Sequence, residues 1–195
     1  MSYSISTRYQ VADPSALIEK APAIREKIIA AGAEGAALIQ PIAAGPSVGT
    51  MIALSVWNSV DAGIEGLGKL YADPDIEALR EGNPTLDRSI SKLMASYGDI
   101  DGQYIGVTRF TASEMSERGV AIAWEKGKAQ GISATRASQC IAGGDNVGSY
   151  RAMFFTKSLD AWAQTIAEVR ADDEYLSEMG RTNFKPVFIG IARRF

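Results

Sequence analysis

The sequence predicts an α+β fold made of two ferredoxin-like repeats, each β-α-β-β-α-β. Three observations predict it. First, the chain carries one stretch twice: a slide of 99 positions lays Ile42–Asp73 on Ile141–Asp172 with 11 identities in 32 gapless columns, where composition alone gives roughly two. Second, in both copies an apolar strand runs into a Ser-x-Asp-Ala helix start, Ser59-Val60-Asp61-Ala62 and Ser158-Leu159-Asp160-Ala161. Third, strand and helix patterns follow the same order on either side of a Gly- and Asp-rich segment near the middle. Each unit forms an antiparallel sheet with both helices on one face and the other face open. Two units in one chain can pack their open faces together, which gives an intrachain pseudo-dimeric barrel with helices outside. The alternatives are two ferredoxin-like domains side by side, or each unit pairing with another chain. The short linker and the apolar long strands favour closure within the chain. The expected division is 1–98, a linker over 99–103, and 104–195.

The first repeat opens with alternating, β-rich Tyr3 to Tyr9, a strand. Asp13-Pro14 pairs an N-cap residue with proline at the first helical position. Leu17, Ala21, Ile24 and Ile28 then recur at helical spacing up to Gly32. Ala36 to Ile42 is a short buried strand, Ala44-Gly45-Pro46-Ser47 a turn, and Val48 to Trp57 a long apolar strand. Ser59 caps a helix carrying Val60, Ile64, Leu67 and Tyr71 on one face, which Asp73-Pro74-Asp75 interrupts or kinks. Ser89 to Ser96 closes the unit as its fourth strand. In the second repeat Tyr104 to Thr111 is a strand whose Thr108-Arg109-Phe110 matches Thr7-Arg8-Tyr9. Ser113 caps a helix running to about Gln130, and Ile132 to Ala142 and Val147 to Thr156 are strands about the turn Gly143-Gly144-Asp145-Asn146. Ser158 caps a helix with Leu159, Trp162, Ile166 and Val169 on one side, and Asn183 to Phe195 is the last strand.

Composition narrows the chemistry. The chain has 195 residues, a net charge of −3, one cysteine and no histidine. A weakly acidic chain gives no basic face for nucleic acid. No apolar run is long enough to span a membrane, and Met1 to Ser6 does not read as a signal peptide. The single Cys140 excludes an intrachain disulfide and fits a reducing, cytoplasmic setting. Without histidine the usual neutral-pH general base, His-ligated haem and the 2-His-1-carboxylate iron site are all missing. A conventional zinc site cannot be built either. No metal and no cofactor are therefore expected.

Most motif-like features are structural. Gly143 to Gly148 lacks the Lys-Ser/Thr of a phosphate loop and joins two strands, so it is a hairpin turn. Gly63, Gly66 and Gly68 fall where the other copy has Trp162, Thr165 and Ala167. They permit close helix–sheet packing, or else open a cavity beneath the helix. Asp99 to Gly102 lacks the later ligands of a calcium loop, and Asp172, Asp173 and Glu174 read as a solvated acidic face. Cys140 reads as an inert buried thiol.

The repeats differ where Met51 aligns with Tyr150, Ile52 with Arg151 and Ala37 with Arg136. Alternation puts Tyr150 and Arg151 on opposite sheet faces. A mid-strand arginine seeks a carboxylate or an anionic ligand. The plain reading is an ion pair; the functional one is an anchor for the carboxylate or enolate of a small conjugated ligand. Trp57, Trp124 and Trp162 are candidates to line such a pocket, and are more often core. Asn58, at a helix entry, is the remaining polar candidate, although Ser59 is the better cap and Lys157 replaces Asn58 in the second copy.

The unit order and the strand-Ser-x-Asp-Ala-helix-x-Asp segment resemble the dimeric α+β barrel superfamily, nearest the antibiotic biosynthesis monooxygenase-like and NIPSNAP-like proteins. Ser149 to Phe155, Leu159-Asp160-Ala161-Trp162 and Ala171 to Tyr175 carry the likeness best. Family members usually dimerise through open sheet faces, so the duplication would supply both halves here. The resemblance implies a choice among cofactor-independent oxygenases of anthrone-like or quinol substrates, lactone isomerases or polyketide cyclases, and His-ligated haem proteins, for which this chain has no ligand. No family catalytic set maps onto these residues. Two hypotheses follow. One is a cofactor-independent monooxygenase or isomerase of a small conjugated or aromatic substrate, with Arg151 or Arg136 stabilising charge, Tyr150 donating a hydrogen bond and the tryptophans enclosing the ring. The other is a non-catalytic small-molecule-binding or interaction module. Either could associate further as a homodimer.

Overall fold

The computed structural model describes residues 2–195. The first repeat comprises β1 (Tyr3–Gln10), α1 (Pro14–Glu19), α2 (Ala21–Ala30), β2 (Gly35–Ala43), β3 (Thr50–Trp57), α3 (Val60–Tyr71), α4 (Pro74–Glu81) and β4 (Thr85–Gly98). The second comprises β5 (Tyr104–Thr111), α5 (Glu117–Gln130), β6 (Ile132–Ala142), β7 (Tyr150–Thr156), α6 (Leu159–Arg170), α7 (Asp173–Arg181) and β8 (Lys185–Arg194). The strands close into a barrel in the order β1-β3-β2-β8-β5-β7-β6-β4. The α+β class and the duplicated architecture expected from the sequence are present. By contacts the chain divides into two compact units. One holds the first repeat as far as Lys92, with Cys140–Val147 and Arg194–Phe195; the other holds Leu93–Gln139 and Gly148–Arg193.

Several of the columns shared by the two copies have a backbone or capping duty. Gly45 and Gly144, and likewise Gly49 and Gly148, have φ of +52°, +60°, +86° and +84°, a region that a side chain disfavours. Ser59 Oγ accepts from the Ala62 N–H at 3.0 Å and Ser158 Oγ from the Ala161 N–H at 3.3 Å. Asp73 and Asp172 do the same for α4 and α7. Each also pairs with a lysine one helix away, Lys27 to Asp73 at 2.7 Å and Lys126 to Asp172 at 2.9 Å. These lysines too are 99 positions apart.

Some element expectations need correction. The first helical segment is two helices, broken at Lys20 because Pro22 can begin a helix but not continue one. Ser116, not Ser113, caps α5: Ser116 Oγ accepts from the Gly119 N–H at 2.9 Å, while Ser113 donates to the Thr182 carbonyl. The acidic run Asp172-Asp173-Glu174 is not simply a solvated face. It starts α7, where acidic groups meet the positive helix end, and Arg118 holds Glu174. The strand placed at Ser89 to Ser96 extends over Thr85–Gly98.

In each unit the helices pack on one sheet face, and the two units solve that packing in opposite ways. In the first, fully buried Trp57 rises from β3. A Cβ on Gly66 of α3 would fall 2.1 Å from its ring, and one on Gly63 would fall 2.7 Å from Ile5. In the second, the tryptophan is on the helix. Trp162 of α6 presses on Gly106 of β5, where a Cβ would meet the indole nitrogen at 2.0 Å. Large and small residues have exchanged sides, and the volume between helix and sheet is filled either way. Gly63 and Gly66 of α3 therefore serve close packing, with Trp57 occupying the space they leave, whereas a Cβ on Gly68 would meet nothing within 4 Å.

Candidate functional site

The helix-facing side of the second unit's sheet carries a cavity of about 60 Å³. Its floor is Thr108 and Phe110 of β5, Thr135 of β6 and Ala152 and Phe154 of β7. Val120 and Ala123 of α5 and Ile166 and Val169 of α6 wall it, while Met115, Met179 and Tyr175 complete it. Alternation along each strand brings these floor residues onto one face: Thr135 lies opposite Phe154, and Ala152 opposite Thr108. The lining is mostly apolar, with one notable polar atom. Thr135 is fully buried and its Oγ1 has no hydrogen-bond partner among the described residues. Tyr175 also faces this region, and burial pushes its phenol above the ordinary value, so it stays protonated. The other polar linings are engaged. Ser116 donates to Glu178 while capping α5, and Thr182 Oγ1 donates to the Glu178 carbonyl at 3.0 Å. Glu114 is paired with Arg181.

The corresponding space in the first unit is filled with polar side chains. Tyr9 stands where the second repeat has Phe110, and Arg80 where it has Met179. Arg88 lies opposite Thr7, as Ile189 lies opposite Thr108. Arg88 Nε donates to Thr7 Oγ1 at 3.0 Å, and its Nη2 donates to the Tyr71 hydroxyl. Arg80 stacks on the same ring, its guanidinium carbon 3.9 Å from the ring centre. Burial and the neighbouring Tyr71 push the Tyr9 hydroxyl up to about 12, against a smaller opposing pull from Arg88.

The residues singled out from the sequence are spread over both units. Tyr150 is buried and stacks on Phe110, ring centres 5.6 Å apart, so it lies on the same sheet face beside the cavity floor. Arg151 lies opposite Arg109 and Ser138, on the sheet face away from Tyr150. Arg136 spends its guanidinium on backbone carbonyls, those of Tyr97, Gly98 and Thr135. Burial lowers its pKa. Trp124 stacks on Tyr97 at 6.1 Å and, with Trp162, packs against the cluster of Ala123, Phe154 and Val169. Trp57 belongs to the first unit's core and donates to Ser55 Oγ at 2.8 Å. Asn58 is exposed at the turn before α3. Tyr150 and two tryptophans thus surround the second unit's cavity as an outer layer, whereas Arg151, Asn58 and Trp57 lie elsewhere. Arg80, Arg88 and Thr135 escaped the sequence reading. Comparing Arg80 with Met179 and Arg88 with Ile189 points to the arginines; nothing local distinguishes Thr135 from any other strand threonine.

No carboxylate cluster suited to a metal ion occurs among the described residues, and no helix is long and apolar enough to cross a membrane. Haem does not fit the second unit's cavity: about 60 Å³ is far too little for a porphyrin, and the chain has no histidine to ligate one.

No protein-family model and no curated protein matches the sequence. Solved structures do match along the whole length. An anthrone oxidase-like protein superposes with a TM-score of 0.54 at 14% identity, over 99% of this chain and 93% of its own. A candidate monooxygenase from Lactobacillus acidophilus NCFM gives 0.59 at 12%, over 99% and 93%. A variant chlorite dismutase from Candidatus Nitrospira defluvii gives 0.58 at 7%, over 100% and 90%. At such identities the likeness is one of fold, and with the eight-strand closure and the duplicated repeat it gives this chain the dimeric α+β barrel fold.

Proposed function

We propose that the second repeat binds a small, mostly apolar, conjugated or aromatic molecule between its sheet and helices, and that the protein acts on it as a cofactor-independent monooxygenase or isomerase. The observation that carries this reading is the buried, unpartnered Thr135 hydroxyl in an otherwise apolar cavity. A buried hydroxyl without a partner costs roughly 1–3 kcal/mol, and a ligand carbonyl or phenol oxygen would satisfy it. The names of structurally similar proteins, anthrone oxidase-like and monooxygenase, support the reaction class.

In this reading Thr135 donates to the ligand oxygen, and the protonated Tyr175 is a second donor within the same lining. For a ligand that enters already ionised, as a phenolate or enolate, these fixed donors stabilise the charge on that oxygen. Tyr150 and the tryptophans hold Phe110 and Phe154 in place behind the ring. At about 60 Å³ the cavity is smaller than the roughly 150 Å³ cavity that holds benzene in an engineered protein core. Ring entry therefore needs Met115 and Met179 to move, which flexible thioether side chains do readily. The competing reading is uptake without chemistry. It is favoured by one fact: the one carboxylate lining the cavity, Glu114, is held by Arg181 rather than free to act as base.

The test is dioxygen consumption and thermal shift with anthrone and with smaller phenols, for the native chain and for Ala123→Phe, which fills the cavity. Stabilisation and turnover that both vanish in Ala123→Phe support the enzyme reading. Stabilisation without turnover supports the binding module. No response from the native chain to any probe would remove both.

A further inference from the structure

The first unit holds two arginines with no acid to answer them. Arg80, in the last turn of α4, and Arg88, on β4, place their guanidinium carbons 3.9 and 5.2 Å from the centre of one ring, that of Tyr71. Neither has a carboxylate partner among the described residues, and Arg80 Nε is buried with no hydrogen-bond partner there. Other arginines of the chain do have acidic partners: Arg8 has Asp87, Arg118 has Glu174, and Arg181 has Glu114 and Glu178. Two like charges drawn together repel. Stacking on Tyr71 offsets part of that cost, and the hydroxyls of Thr7 and Tyr71 accept from Arg88, but neither supplies a negative charge.

We propose that Arg80 and Arg88 form an anion site in the first unit, on the helix side of its sheet, for a small organic carboxylate. The guanidinium fork matches a carboxylate bidentately. The surroundings select for the carboxylate of an apolar molecule, since Tyr9 and Leu79 belong to one hydrophobic cluster beside Arg80. Tyr9 acts as a hydroxyl donor to the anion and not as a competing anion, in keeping with its raised pKa. The site is separate from the second unit's cavity and stands or falls independently of it. The repeat then carries two different sites on equivalent sheet faces: a mostly apolar cavity in the second unit and a cationic cluster in the first.

Titration of the whole chain with sodium benzoate, followed by calorimetry and by tyrosine difference absorption, tests the assignment, with inorganic phosphate as a second arm. The expected result is saturable one-to-one benzoate binding that perturbs the tyrosine spectrum. Affinity should fall at least ten-fold in Arg80→Gln and fall less in Arg80→Lys. Arg80 makes no side-chain hydrogen bond that the fold depends on, so its variants should fold; circular dichroism checks this. The absence of saturable benzoate binding, or equal affinity in Arg80→Gln and Arg80→Lys to that of the native chain, overturns the site. Phosphate binding through Arg80 without benzoate binding overturns the carboxylate assignment.

Discussion

At the scale of single residues, two buried hydroxyls carry opposite messages. Thr135 is an unsatisfied donor whose removal should help the fold. Thr135→Val keeps shape and should raise stability by about 1 kcal/mol, measured by urea denaturation, while abolishing the thermal shift caused by a bound phenol. A variant that loses stability would mean the hydroxyl has a structural partner. Tyr9 carries the other message. Its folded-state pKa is about 12 against an ordinary 10, so the folded chain holds its proton more tightly than the unfolded one. The stabilisation is full below pH 10 and is lost as pH rises through 12. Two pKa units correspond to roughly 2–3 kcal/mol. Tyr9→Phe should flatten the alkaline limb of the stability curve in that window. Tyr175 is raised in the same direction, so part of the slope should remain.

At the scale of elements, the exchange of tryptophan and glycine between helix and strand is the main packing device. Gly106→Ala forces a methyl into the Trp162 indole and should cost about 1–3 kcal/mol. Adding Trp162→Leu should recover part of the loss, and the double-mutant cycle should show coupling of about 1 kcal/mol. Strict additivity would mean that the two side chains do not share the space. The duplicated aspartate–lysine clamps give an acid-side expectation. For Asp73, Lys27 and the α4 N–H groups hold the carboxyl below the ordinary carboxylate range; for Asp172, the Tyr175 N–H and then Lys126 do so. A depressed pKa stabilises above the unfolded value and is lost as pH falls through the folded one. The double variant Asp73→Ala, Asp172→Ala should therefore show a shallower loss of melting temperature on acidification. An unchanged acid limb would assign that loss to other carboxylates.

At the scale of the whole molecule, the duplicated fold does not duplicate chemistry. The two copies share caps, turns and clamps, yet one encloses an arginine–tyrosine cluster where the other leaves an apolar cavity. The chain has no histidine and the second unit's cavity is only about 60 Å³, so haemin should not enter that cavity and should give no Soret band of a histidine-ligated haem. A stoichiometric, ligated spectrum would refute the cavity geometry. Much of this scale was legible in advance. The 99-residue offset, the Ser-x-Asp-Ala helix starts and the proline breaks are local signals. They act through φ, capping and periodicity, and need no knowledge of distant residues. The site was much less legible. Tyr150, Arg136 and Arg151 were singled out because they are polar where their repeat partners are apolar. That contrast does not say which sheet face a side chain takes or what else reaches for it. Arg136 proved to be occupied by the carbonyls of Tyr97, Thr135 and Gly98.

The sequence by itself determined the repeat, the order of strands and helices, the turn glycines and the absence of histidine chemistry. It did so because backbone conformation and side-chain inventory are properties of short stretches. The tertiary structure alone decided that Trp57 fills the space left by Gly63 and Gly66, that Arg80 and Arg88 both lie against the Tyr71 ring, and that Thr135 is left without a partner among the described residues. Each of these depends on the distance between residues far apart in the chain. Burial turns that distance into energy, because a polar group or a void inside the protein has no water to answer it.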